Sequence, residues 1–103
     1  AIGHGVEALS NFTLSHGKSV AIGMAIVCRA SRCPDTPRIL AILQKFGLPI
    51  TTDESVQDIY NYTLSDKKRS GDTVRLIIPR RIGDCVIVPT PVHALKSFIQ
   101  AGL

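Results

Sequence analysis

Apolar residues fall at helical spacing along most of this chain, and gather into β-branched runs only in its last third. Ile2 to Leu9 reads as the last turns of a helix, and Ser10 to Ser15 as a loop. From His16 to about Arg32 a helix is expected, with Val20, Met24, Val27 and Cys28 on one side. Ile22 and Ile26 fall on the other side. A helix that is apolar nearly all round belongs in the centre of a bundle or beneath a partner domain. Gly23 lies within it and costs about 1 kcal/mol of helix stability relative to Ala. Its expected use is the close approach of a neighbour.

Cys33-Pro34-Asp35 interrupts the pattern. Thr36 is expected to cap the next helix, with Pro37 at its first position. Ile39, Ile42, Leu43 and Phe46 form one stripe, and Gly47 stops it. Leu48-Pro49-Ile50 reads as extended. A short helix is expected from Ser55 to Leu64, with Val56, Ile59, Tyr60 and Thr63 on one face. Tyr60 and Tyr62 read as packing residues. Thr73 to Ile78 and Cys85 to Val88 then read as two antiparallel strands joined by Pro79 to Asp84. Two strands alone are marginal, so they must pack on helices. A final helix is expected from Pro91 to Ala101, with Val92, Leu95, Phe98 and Ile99 inward and His93 at the surface. The fold class is mainly α: one helical domain over residues 1–103 with a small two-stranded antiparallel hairpin near its C-terminal end.

Composition narrows the class. The length suits one small domain. No apolar run reaches the roughly 20 residues of a membrane helix, so no membrane partner is expected. The three cysteines, Cys28, Cys33 and Cys85, form no C-x-x-C pair. That favours reduced thiols in a cytoplasmic protein over a disulfide framework. Cys28 and Cys85 read as core thiols, and Cys33 as the more exposed one. The net charge of +4 gathers at Lys67-Lys68-Arg69 and Arg80-Arg81. Such clusters read first as solvated faces and second as a phosphate or carboxylate site. Nucleic acid is not expected, because aromatic residues are few and Trp is absent. The chain starts at Ala1 with neither Met nor leader, so it is expected to be a piece of a longer protein.

The candidate chemistry sits at the start. His4 and His16, each beside a glycine, bracket a short apolar segment. Histidine is the commonest metal ligand and a frequent acid or base near neutrality. The two are too far apart for one helix face, and converge only if Ser10 to Ser15 folds the chain back. A zinc site needs at least three protein ligands. Glu7 is a conceivable third, although a helix-surface charge is its simpler role. Two structural histidines remain the plainer alternative. In Ser65-Asp66-Lys67-Lys68-Arg69, cations at a helix end suit the dipole. One lysine reaching a phosphate is the sharper reading.

The motifs Gly3-His4-Gly5-Val6-Glu7-Ala8 and His16-Gly17-Lys18-Ser19-Val20-Ala21-Ile22-Gly23-Met24 resemble the 3-dehydroquinate synthase family. That family usually reads G-H-T-x-G-H-A-x-E-A and then L-H-G-E-x-V-A-x-G-M. Phe46-Gly47-Leu48-Pro49, Asp66-Lys67-Lys68, the strand Val74 to Pro79 and Ile82-Gly83 follow in the family's order. The resemblance implies the C-terminal metal- and substrate-binding domain of a two-domain enzyme whose N-terminal, NAD-binding domain is missing here. It implies a reaction in which a seven-carbon keto acid phosphate is cyclised to 3-dehydroquinate. NAD transiently oxidises a ring hydroxyl, phosphate leaves, the hydride returns and the opened ring closes by an aldol step. A divalent metal, zinc or cobalt, is the implied Lewis acid.

The resemblance makes His16 a metal ligand, His4 a catalytic histidine near the substrate phosphate, and Lys67 or Lys68 a substrate-anion contact. The other two metal ligands would come from the missing part: a glutamate, and a histidine just upstream of Ala1. The full-length enzyme is expected to be a cytoplasmic homodimer, and this piece alone inactive. Two departures stand out. Lys18 occupies the position where the family usually has glutamate, and the stretch from Arg32 to Thr36 is shorter than usual. The first leaves open a related sugar-phosphate cyclase, such as a 2-deoxy-scyllo-inosose synthase. An alternative of another class is a noncatalytic helical interaction module with a basic patch.

Overall fold

The computed structural model describes residues 2–65 and 71–103. Helices α1 (Ile2–Leu9), α2 (His16–Ala30), α3 (Thr36–Lys45) and α4 (Val56–Ser65) precede an antiparallel hairpin of β1 (Thr73–Arg81) and β2 (Asp84–Pro91). Helix α5 (Val92–Gly102) closes the chain. The mainly helical class with a late hairpin is therefore the observed one.

The core is built where α1, α2, α4 and α5 meet the inner face of the hairpin. Ile2 and Val6, Ile22 and Ile26, Ile59, Val74 and Leu76, and Leu95 and Ile99 are all buried in one cluster. Helix α2 lies in the middle of this arrangement, touching α1, α3 and α5. Gly23 has the role expected of it: a Cβ there would lie 2.8 Å from Gly3 Cα, so α1 and α2 cross backbone to backbone. At the other end, α5 closes on α2 through Gly102, where an added Cβ would collide with Ile26 O. The Arg29 guanidinium locks this corner, donating to Gly102 O at 3.1 Å and Ile50 O at 2.7 Å.

The apolar outer side of α2 is not covered. Val20 and Met24 are 42% and 45% exposed. The α3 stripe behaves alike: Leu43 is buried, while Ile42 and Phe46 lie open. These surfaces and the hairpin bound a groove of about 910 Å³.

Several local expectations change. Thr36 does not cap α3 but is its first residue; its hydroxyl donates to Cys33 O at 2.6 Å and Cys28 O at 3.1 Å. Asp35 precedes the helix without a capping bond, because its carboxylate is held by Arg81 and the Ile82 N–H. The strands are longer than expected, running past Pro79 to Arg81 and starting again at Asp84. The join is only Ile82-Gly83, and Gly83 supplies φ +84°. In a two-stranded ribbon every strand is an edge, where proline is tolerated, and the register breaks just after Pro79.

The cysteine expectations are partly reversed. Cys28 is buried, but so is Cys33, and Cys85 is exposed. Cys85 pairs with Pro79. By strand alternation it therefore shares the outer face with Ile77 and Ile87. Burial pushes the Cys28 thiol above its ordinary pKa, with further upward contributions from Cys33 and Cys85, which suits an inert core thiol.

Candidate functional site

Helical periodicity puts His4 and Glu7 on one face of α1, one turn apart. The chain then reverses within a few residues. Asn11 and Phe12 adopt φ of 56° and 59°, a left-handed pair that turns the backbone back on itself. Glu7 O anchors the reversal, accepting from the Ser10 hydroxyl at 2.7 Å and from Phe12 N at 3.2 Å. Ser15 then caps α2, its Oγ accepting from Lys18 N at 3.3 Å. His16 is the first residue of α2 and arrives beside α1. The fold-back that the two histidines required is thus present.

Glu7 is the meeting point. Its Oε1 lies 3.2 Å from His16 Nδ1 and 3.8 Å from His4 Nδ1. The first is a hydrogen bond, the second a near approach. Glu7 is only 13% exposed, whereas His4 and His16 are 54% and 77% exposed. The carboxylate is therefore not the free surface charge that its position in sequence implies. The His4 ring lies against Tyr62 of α4, with centroids 5.7 Å apart and planes tilted by 57°. Tyr62 also covers Gly5, and Tyr60 donates its hydroxyl to Val92 O at 3.2 Å. Both tyrosines pack, as expected. The contact of Tyr62 with His4 has no sequence signal.

His4 and His16 border the groove along the outer side of α2, as does Arg75 of β1. Arg75 was not singled out by any motif. Lys67 and Lys68 lie outside the described residues. The second basic pair is engaged by carboxylates: Arg80 Nη2 is 3.0 Å from Asp84 Oδ2, and Arg81 Nε is 3.1 Å from Asp35 Oδ2. His93 is exposed, as expected.

Among the described residues, no group of three His, Cys, Asp or Glu side chains is placed to hold a metal. His4, Glu7 and His16 do not form such a group as placed. As a donor, His16 suits zinc or cobalt: its Nδ1 is held by a carboxylate and its ring is open to solvent. A carboxylate behind a histidine is the usual arrangement at metal sites. The described residues fit one ligand of such a centre, His16.

Fold and site together describe a mainly helical domain in which two exposed histidines approach one carboxylate. The chain belongs to the family described as 3-dehydroquinate synthase C-terminal, which matches residues 1–69. It is 35% identical over 107 residues to the 3-dehydroquinate synthase of Streptococcus suis (strain 05ZYH33), covering 96% of this chain and 30% of that protein. It is 41% identical over 95 residues to that of Pelobacter propionicus, covering 84% and 26%. With that of Sulfurisphaera tokodaii it shares 34% over 112 residues, covering 96% and 31%. The chain thus spans about a third or less of the length of these relatives. Among the described residues, no helix is long and apolar enough to cross a membrane.

Proposed function

We propose that this chain is the metal- and substrate-binding domain of an enzyme that cyclises 3-deoxy-D-arabino-heptulosonate 7-phosphate to 3-dehydroquinate with release of phosphate. The observation that carries the reading is the convergence of His4 and His16 on Glu7, in a chain of this family. His16 would be one ligand of a divalent metal, zinc or cobalt. When bound, that metal supplies Lewis acidity to substrate oxygens. His4, exposed and steadied by Tyr62, would hold or move a proton near the departing phosphate. Lys67 or Lys68 would meet a substrate anion.

NAD would be bound by a separate N-terminal domain, for which the length of the relatives leaves room. The full-length enzyme would be a cytoplasmic homodimer of the shikimate pathway. These 103 residues supply only one metal-type histidine, fewer than the three protein ligands a zinc site needs, and by themselves would be inactive. Lys18, exposed in the first turn of α2 where the family has glutamate, is the one observation that favours a related sugar-phosphate cyclase.

The test is turnover by the full-length protein that carries this chain, supplied with NAD, zinc or cobalt and the heptulosonate phosphate. Formation of 3-dehydroquinate with an equal amount of phosphate is expected. Phosphate release only from another sugar phosphate would favour the related cyclase. No phosphate release from either would sink the catalytic reading.

A further inference from the structure

We propose that Glu7 is the positioning residue of this site, fixing His16 in the Nδ1–H tautomer so that the Nε2 lone pair is the one left to bind a ligand. The functional consequence rests on the reading of His16 as a metal ligand; the tautomer rests on geometry alone.

Three observations carry the proposal. Glu7 Oε1 is 3.2 Å from His16 Nδ1, and a carboxylate oxygen can only accept, so the proton sits on Nδ1. Glu7 itself is held on both sides. Its carbonyl oxygen takes the bonds that form the α1–α2 turn, and its side chain is largely withdrawn from solvent while both imidazoles are not. Among the described residues no other side-chain hydrogen bond ties down His16, which is the most exposed of the three side chains. Which nitrogen of a histidine carries the proton is set by the bond the other one makes. With Glu7 removed, His16 would rotate freely and return to the Nε2–H form that a neutral imidazole prefers in water.

The same oxygen lies 3.8 Å from His4 Nδ1. One carboxylate thus faces both imidazoles, although it bonds to only one of them. A ligand on His16 Nε2 would draw charge through the ring and tighten its bond to Glu7. The proposed proton-transfer histidine therefore stands next to the group that orients the proposed ligand.

The test uses the full-length protein, labelled with 15N at its histidines, freed of metal and held at a pH above the imidazole range. Long-range 15N–1H correlation reads the tautomer of each ring, and His16→Gln assigns the His16 signals. Wild type should show His16 as Nδ1–H. Glu7→Ala should convert it to Nε2–H, whereas Glu7→Gln, which keeps an acceptor oxygen, should retain much of the Nδ1–H form. Zinc affinity should fall about 10- to 100-fold in Glu7→Ala and less in Glu7→Gln. An Nε2–H tautomer in wild type, or an Nδ1–H tautomer that survives Glu7→Ala, overturns the proposal. A tautomer that responds to Glu7 while His16→Ala leaves zinc affinity unchanged upholds the positioning and overturns only the ligand reading.

Discussion

Gly3 of α1 and Gly23 of α2 touch through their backbones: a Cβ added at Gly23 would stand 2.8 Å from Gly3 Cα and 2.9 Å from Gly3 N. Neither atom belongs to a side chain that can rotate away. The contact sets how closely α1 lies on α2, and so where His4 and Glu7 stand relative to His16. Gly23→Ala gains about 1 kcal/mol of helix propensity but forces the helices apart. A net loss of about 1–3 kcal/mol is expected in urea unfolding. Gly17→Ala is the control, since nothing lies within 4 Å of its added Cβ. That variant should gain about 0.5–1 kcal/mol. Equal effects at the two glycines would show that the crossing is not tight.

Asp35 ties the hairpin tip to the α2–α3 connection. Its Oδ2 accepts from Ile82 N at 2.8 Å and from Arg81 Nε at 3.1 Å. These bonds, Ile82 first, hold its carboxyl below the ordinary value of 3.8. A depressed folded-state pKa contributes stability that is present above the unfolded value and lost as pH falls through the folded one. The melting temperatures of wild type and Asp35→Asn should therefore differ by a constant amount near neutrality. The difference should shrink as pH drops below about 4. A gap that persists unchanged into strong acid would contradict the clasp.

Lys18 sits at the third position of α2, three residues after its cap, with its backbone N–H bonded to Ser15 Oγ. A cation there opposes the helix dipole. Lys18→Glu would complete a Ser-x-x-Glu capping box and should stabilise α2 by about 0.5–1 kcal/mol. A raised melting temperature that falls back in high salt is expected; a lowered one would show that the charge is balanced elsewhere.

Elements with a strong local signal were legible from sequence. The period of Ile59 and Thr63 in α4, the apolar surround of α2 and the β-branched runs of the hairpin all match the observed elements. So was the requirement that the Ser10–Ser15 loop fold back for the histidines to meet. Long-range partners were not legible. Asp35 reads from sequence only as part of the break before α3, but its partners come from a hairpin tip far along the chain. Cys33 and Cys85 exchanged their expected burial, because strand parity and loop packing decide it rather than neighbouring apolar residues. Glu7 read as a surface charge, since nothing in a helical repeat shows that the following turn brings His16 to its carboxylate.

The account makes the two histidines unequal, and metal content measured alongside turnover tests this most directly. In the full-length protein, His16→Ala should lose bound zinc or cobalt and all turnover. His4→Ala should keep the metal and lose about 10²- to 10⁴-fold in turnover, the usual contribution of a positioned acid or base. A His16→Ala protein that retains its full complement of metal would contradict the account.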